Sequence, residues 1–461
     1  MTKETLKTPE IGQGKKYLTV TYGCQMNEHD SEILSGFLRD MGYMQTNDLQ
    51  ETDVLIINTC AIRQKAEEKV YGRLGALKKL KMEKPEMIIG ICGCMVQQEK
   101  VAEKIKKRYP HVDLIFGTHN LHKFPCLLQE ALESRKTLVD VWPRRDGVAE
   151  GLPKLRKDRV KAWVSITYGC NNFCSYCIVP YVRGREESRK IENIVAEVEG
   201  LAEHGYKEVT LLGQNVNSYG KDLSEKTTFA MLLKSLDNIQ GLERIRYMTS
   251  HPRDFTRELV EVISSSSKVC EHFHLPLQSG SNRILERMNR GYSREHYLEL
   301  VNYIRKLIPR ASITTDFIVG FPGETEEDFT HTLDMVERIR FNAAFTFLYS
   351  PRKGTAAAAM PDQITEEEKK ERIYRLIESQ NKISREINDK LKGEIFEVLV
   401  EGVSKEEPAC EAALTGRTRT NKIVNFFGKK ELVGNLVPVQ ITEPKTWSLY
   451  GELVDKYTKA Y

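Results

Sequence analysis

Residues 169–189 read GCNNFCSYCIVPYVRGREESR and place Cys170, Cys174 and Cys177 in the spacing CxxxCxxC. Three thiolates that close in sequence suit three irons of a cubic [4Fe-4S] cluster. A fourth protein thiolate would saturate the cluster, whereas three leave one iron open for a substrate or cofactor. The alternative is a structural zinc site. Zinc takes four protein ligands, usually as two CxxC or CxxH units, and neither a second unit nor a His lies near this loop. Just upstream, residues 160–167 (VKAWVSIT) are β-branched, aromatic and mostly apolar, which predicts a strand. The cysteines are therefore expected on a loop at the carboxyl end of a strand, where α/β folds build their sites.

Downstream the same alternation continues. Strand-like runs at 160–167, 208–213, 244–250, 272–277, 312–320 and 343–350 are separated by helical stretches at 191–203, 229–237, 257–264, 294–307 and 326–340. Six βα units over residues 156–388 predict a partial barrel, open on one side, with its site at the strands' carboxyl ends. Each strand end carries polar or glycine-rich residues. These include Gly213, Gln214 and Asn215 after the second strand, Gln278 and Ser279 after the fourth, and Asp316 on the fifth. Glycines let backbone approach a ligand, and the amides and carboxylates suit amine, carboxylate, ribose and adenine groups. Ordinary turns and helix caps use the same residues, so the argument rests on several such loops sharing one rim. Arg183, Arg185 and Arg189 follow the cysteines and suit either a carboxylate or an RNA backbone, or simply solvent.

In residues 15–133 a hydrophobic strand runs three times into a cysteine and then a polar helical stretch. Residues 16–22 lead to Cys24, 53–58 to Cys60, and 87–91 to Cys92 and Cys94. Such alternation predicts a parallel sheet whose strands share one carboxyl edge, where three distant cysteines converge as a second three-thiolate set. Cys92 and Cys94 are two apart and would face the same side of a strand, so the pattern leaves open which is the ligand. The competing reading is buried structural cysteines acting as small hydrophobes. That reading is the expectation for Cys126, Cys270 and Cys410. Residues 134–155 contain a stretch rich in Pro, Gly, Arg and Lys and are expected to be a linker.

After a charged helix at 365–391 the pattern changes to short β-branched runs, which predict a small antiparallel barrel over 389–455. Arg417, Arg419, Lys422, Phe426 and Phe427 interleave basic and aromatic side chains and are expected to bind RNA backbone and bases, the alternative being a capping β domain with a solvated basic edge.

Length and composition agree with this division. The 461 residues leave room for two or three domains, and 40% hydrophobic with 29% charged residues is the balance of an ordinary soluble chain. A net charge of +4 says little about nucleic acid, because a basic face can coexist with a neutral total. No apolar run approaches a membrane span, and the first residues lack the apolar core of a signal peptide. Ten cysteines without such a signal point to metal or redox chemistry in a reducing, cytoplasmic setting rather than to disulfides.

The CxxxCxxC loop after a strand, opening a long α/β segment, resembles the radical S-adenosylmethionine (SAM) enzymes. Its flanks, with TYGCQMN at 21–27, INTCAIRQKAEEK at 57–69 and GCMVQ at 93–97, resemble the tRNA methylthiotransferase family. GQNVNSYG at 213–220 is similar to that family's dimethylallyladenosine branch, and the tail is similar to the TRAM RNA-binding domain. The resemblance selects Cys94 over Cys92, giving Cys24, Cys60 and Cys94 as ligands of an auxiliary cluster that supplies sulfur. It implies that Cys170, Cys174 and Cys177 bind a [4Fe-4S] cluster that cleaves SAM to a 5′-deoxyadenosyl radical. It also implies that Gly213 to Asn215 receive the methionine amine, with Gln278, Ser279 and Asp316 near ribose or substrate. The implied reaction is 2-methylthiolation of N6-dimethylallyladenosine in a tRNA anticodon stem-loop, with abstraction of the C2 hydrogen. A reducing electron-transfer protein is the expected partner, and a monomer the expected state. Competing readings are a sibling acting on threonylcarbamoyladenosine or on a ribosomal-protein aspartate, and a non-catalytic Fe–S or zinc RNA-binding protein.

Overall fold

The computed structural model describes residues 9–61, 64–134, 136–404 and 412–454. The first unit is a six-stranded parallel sheet. Its strands are β1 (Lys16–Thr21), β2 (Met44–Gln45), β3 (Val54–Thr59), β4 (Ile88–Gly93), β5 (Leu114–Phe116) and β6 (Leu138–Asp140), in the order β2-β1-β3-β4-β5-β6. β3 (VLIINT) and β4 (IIGICG) are buried at every position, as strands covered by helices on both faces must be. One face packs on Ile33, Leu34 and Phe37 of the helix Gln25–Asp40 and on Phe124 and Leu128 of the helix Phe124–Glu133. The other packs on Val70 and Leu74 of Gln64–Glu83 and on Ala102 and Ile105 of Glu99–Arg108.

The expected linker is partly structural: β6 extends the sheet beyond residue 133. Farther on, the Leu155 N–H donates to the Glu32 carbonyl at 2.9 Å, and a Cβ on Gly36 would lie 2.6 Å from the Pro153 backbone. Lys154 also pairs with Glu197 on the barrel helix Ile191–Glu203 at 2.6 Å, so the linker ties the first unit to the barrel. Cys126 is exposed rather than buried, Cys270 is buried as expected, and Cys410 lies outside the described residues.

The second unit is a partial (β/α)6 barrel. Its strands are β7 (Lys161–Ser165), β10 (Glu208–Leu212), β11 (Arg244–Tyr247), β12 (His272–His274), β13 (Ser312–Val319) and β14 (Ala343–Leu348). They form two three-stranded parallel halves, β11-β10-β7 and β12-β13-β14, joined by a bridge between Ile245 and Val269. The short strands β8 (Thr167–Tyr168) and β9 (Glu187–Ser188) pair antiparallel and close the base of the cysteine loop. Gly169 has φ +73°, and a Cβ there would come within 1.9 Å of the Arg185 carbonyl oxygen, so glycine permits that closure.

The third unit is a closed antiparallel-rich barrel, β15 (Ile395–Val403), β16 (Ala412–Thr418), β17 (Ile423–Gly428), β18 (Leu436–Pro444) and β19 (Leu449–Leu453), in the order β15-β16-β17-β19-β18. It docks at the amino ends of the barrel strands. Arg244, at the start of β11, donates to the carbonyls of Arg417 (2.6 Å) and Glu397 (3.0 Å), and Lys161, at the start of β7, pairs with Glu401 at 2.8 Å. Among the described residues, no helix is long and apolar enough to cross a membrane.

Candidate active site

The sheet edge and the barrel rim meet at two sets of cysteines. Cys24 is the residue that caps the start of the helix Gln25–Asp40. Cys60 follows β3 and is buried. β4 ends at Gly93, whose φ of +98° turns the chain out of the strand; a Cβ there would lie 2.4 Å from Asn58 Oδ1. The two candidates therefore part. Cys92 stays in the apolar core beside Phe116 and Leu114, while Cys94 emerges at the edge against Ala61, Ile178 and Val182. Burial pushes the Cys94 thiol up to about 12, with Cys60 and Cys24 near enough to add to the shift.

Cys170, Cys174 and Cys177 lie on one loop. The Asn172 N–H donates to Cys170 Sγ at 3.5 Å, and the Cys177 N–H to the Cys174 carbonyl at 2.9 Å. Burial, followed by neighbouring cysteines, raises Cys177 to about 12, and burial raises Cys170 to about 11. Metal binding must displace these protons, which makes loading pH-dependent. Among the described residues, no three His, Cys, Asp or Glu side chains are grouped to hold a single metal ion.

Each cysteine set has a buried arginine against it. Arg290 donates from Nη1 to Cys174 Sγ at 3.4 Å and from Nη2 to the Pro276 carbonyl at 2.8 Å. Arg183 donates from Nε to Cys94 Sγ at 3.0 Å and pairs through Nη2 with Asp30 at 2.7 Å. Arg183 was expected beside SAM or the RNA backbone; that expectation is corrected. The helix Val179–Arg183 runs into the first unit, tied by the Thr118 hydroxyl donating to the Val182 carbonyl at 2.8 Å, and buries the guanidinium there. Arg185 stays exposed over the Phe173 ring at 5.0 Å, and Arg189 is buried against Glu150 and Glu197.

The barrel rim carries polar atoms that are buried without protein partners: Gln214 Oε1, Asn215 Oδ1, His251 Nε2 and Gln278 Oε1. Such groups are costly unless a ligand meets them. Gly213 packs so close to Thr167 that a Cβ would reach its methyl at 2.4 Å. Asn215 Nδ2 donates to Asp254 at 2.7 Å. Phe173, Thr249 and Gln278 have φ of +47°, +64° and +71°, strained backbone gathered around this rim. Ser279 is buried, its hydroxyl accepting from the Ser281 N–H at 3.3 Å. Asp316 faces His274 Nε2 at 3.5 Å inside the barrel, and Phe345 shares that face, its ring 6.0 Å from His274. Phe345 and Phe347 are 58% and 45% exposed, which is unusual for core-sized rings. His251 lies in the polar loop expected after the third barrel strand, whereas sequence reading missed Arg290 and this aromatic pair; their signal is tertiary, since nothing local separates Arg290 from other arginines.

Of the residues expected to bind RNA, Arg417, Arg419, Lys422 and Phe426 are engaged elsewhere, which corrects that reading for them, whereas Phe427 is 52% exposed. Phe426 is 3% exposed in the core of the small barrel. Arg419 pairs with Glu271 at 2.7 Å and donates to the carbonyls of Ser267 and Val269. Arg417 pairs with Glu401 at 3.2 Å, and Lys422 donates to Asn388 Oδ1 at 2.6 Å. Alternating basic and aromatic residues here meet a neighbouring domain and a core.

Comparison with known proteins agrees with this division. Family models match residues 16–117 (Uncharacterized protein family UPF0004), 164–336 (Radical SAM superfamily) and 389–454 (TRAM domain). A protein of Thermoanaerobacter pseudethanolicus named tRNA-2-methylthio-N(6)-dimethylallyladenosine synthase is 57% identical, covering 96% of this chain and 94% of its own. A protein of the same name from Acetivibrio thermocellus is also 57% identical, covering 98% and 94%. The chain belongs to the tRNA-2-methylthio-N(6)-dimethylallyladenosine synthase family. Fold likeness reaches beyond this family. The radical S-adenosylmethionine methyltransferase TsrM from Kitasatospora setae has a TM-score of 0.55 at 14% identity, covering 75% of this chain and 77% of its own. The cobalamin-dependent radical enzyme OxsB has a TM-score of 0.52 at 14% identity, covering 78% and 56%.

Proposed function

We propose that this chain is a radical SAM methylthiotransferase that converts N6-dimethylallyladenosine, next to the anticodon of tRNA, to its 2-methylthio derivative. The observation that carries the reading is two cysteine sets, each against a buried arginine, where sheet edge and barrel rim meet, in a chain 57% identical over nearly its whole length to synthases of that name. Cys170, Cys174 and Cys177 hold one [4Fe-4S] cluster, and Cys24, Cys60 and Cys94 hold the other. The donor sets fit: three thiols apiece, with the guanidinium of Arg183 against Cys94 through Nε and its Nη1 buried and unpartnered. When bound, the first cluster supplies the electron that cleaves SAM and the second supplies the sulfur, which reaches an unactivated aromatic carbon beyond acid–base chemistry.

The protein's own residues bind and orient. Gly213 admits the cofactor backbone closely, and Gln214, Asn215, His251 and Gln278 offer buried polar atoms to its amine, carboxylate and sugar. Burial holds His251 neutral, and because its Nδ1 accepts from the Arg253 N–H at 3.3 Å, its free Nε2 carries the hydrogen and donates without charge. Phe345 and Phe347 offer stacking faces to a splayed adenine beside Asp316. A reducing electron-transfer protein delivers electrons, and the enzyme works as a cytoplasmic monomer.

The test is anaerobic reconstitution with reductant, SAM and an anticodon stem-loop carrying dimethylallyladenosine, followed by mass spectrometry of nucleosides. A methylthio group on that base, with 5′-deoxyadenosine formed, supports the reading. Modification only of threonylcarbamoyladenosine or of a ribosomal protein would replace it with a sibling activity. Absence of 5′-deoxyadenosine from a fully loaded protein would favour a non-catalytic role.

A further inference from the structure

Arg183 belongs by sequence to the loop of Cys170, Cys174 and Cys177, yet its side chain serves the other cysteine set. It is 3% exposed. Its Nε donates to Cys94 Sγ at 3.0 Å, and its Nη2 pairs with Asp30 Oδ2 at 2.7 Å and donates to Asn27 Oδ1 at 3.4 Å. Asp30 and Asn27 sit on the helix that starts at Cys24, so one guanidinium touches Cys94 and the helix carrying Cys24. Its Nη1 is buried with no acceptor. A planar fork with a free donor beside a thiolate set suits an anionic cluster better than a point charge would.

We propose that Arg183 is a positioning residue for the Cys24, Cys60 and Cys94 cluster, supplied by the barrel to the first unit, and that it raises the reduction potential of that cluster. A cubane on three thiolates is anionic and becomes more so on reduction, and hydrogen bonds to its sulfurs favour the reduced state. One electron enters on reduction, and Arg183, already cationic, keeps its proton. The site is therefore complete only when both units are docked. The proposal rests on the cluster assignment made above for the Cys24, Cys60 and Cys94 set.

The experiment uses the full chain with Cys170, Cys174 and Cys177 replaced by alanine, so that a single cluster is observed. Iron content is measured first, then the midpoint potential by EPR-monitored titration, in this parent and with Arg183→Gln, Arg183→Lys or Asp30→Asn added. About four irons in the parent establish the cluster; none would defeat the cluster assignment itself. With the cluster present, Arg183→Gln is expected to disfavour reduction about tenfold, a shift of ~59 mV to more negative potential. Arg183→Lys should recover part of that shift. Asp30→Asn keeps the arginine and removes its counter-charge, so it should shift the potential the other way. A folded Arg183→Gln protein that loses its iron, with iron regained in Arg183→Lys, also supports the positioning role. Unchanged potentials in loaded Arg183→Gln and Asp30→Asn proteins would overturn the proposal.

Discussion

Cys170, Cys174 and Cys177 share one loop pinned by a two-residue ribbon, whereas Cys24, Cys60 and Cys94 follow three different strand ends and meet only because those strands are parallel. Their arginines differ in the same way. Arg290 reaches Cys174 from within the barrel, while Arg183 crosses from the barrel to Cys94. The loop site is local chemistry made by spacing. The sheet site is a product of topology and of docking between two domains.

The largest effect should come from removing one set at a time. Alanine at Cys170, Cys174 and Cys177 should abolish 5′-deoxyadenosine formation. Alanine at Cys24, Cys60 and Cys94 should leave SAM cleavage and abolish methylthiolation. Iron should fall from about eight to about four in each case. Equal loss of SAM cleavage in both variants would erase the functional distinction between the sets.

A second test asks whether the barrel's own arginine matters locally. Arg290→Met removes one of two donors to the Pro276 carbonyl, the Tyr292 hydroxyl remaining at 3.1 Å, and should cost about 1 kcal/mol of stability. It should also slow SAM cleavage while iron bound at the Cys24 set is unchanged. Loss of iron from both sets would show that the two sites are not independently supported.

Recognition of the base is expected to depend on the barrel alone. Phe345→Ala should weaken binding of the stem-loop by about 1–3 kcal/mol, the range for lost base stacking, with uncoupled SAM cleavage retained. An unchanged KM for the RNA would move the base elsewhere.

The smallest effects concern the small barrel. Arg419→Ala should lower thermal stability while leaving the salt dependence of RNA binding unchanged, because its cation is held by Glu271 rather than offered to phosphate. Burial lowers Lys422 to about 8 from its ordinary 10.5. The unfolded chain therefore holds more protons than the folded one between those values, and stability rises with pH across that window. Relative to Lys422→Met, the wild type should gain about 1 kcal/mol between pH 8 and 10.5, after screening of a partly exposed group. A flat difference across that window would mean that the ammonium is solvated.

The barrel helices illustrate how much local pattern carries. Residues 191–203, 229–237 and 294–307 were expected to be helical and are, because apolar spacing there coincides with real burial. The ligand choice between Cys92 and Cys94 was not legible from alternation, because Gly93 ends the strand between them and the parity rule stops applying.

By itself the sequence determined the strand–helix alternation, the parallel edge, the loop spacing of Cys170, Cys174 and Cys177, and the five-stranded tail. These follow from periodicity and residue type over short distances. Only the tertiary structure decided where long cationic side chains end. Arg183, Arg290, Arg417 and Arg419 look alike along the chain, and each reaches several ångströms from its backbone. Their partners are Cys94 and Asp30, Cys174, Glu401 and Glu271, all far away in sequence. A buried charge must find an opposite charge or an acceptor, and which one lies within reach is fixed only when strands, loops and domains pack.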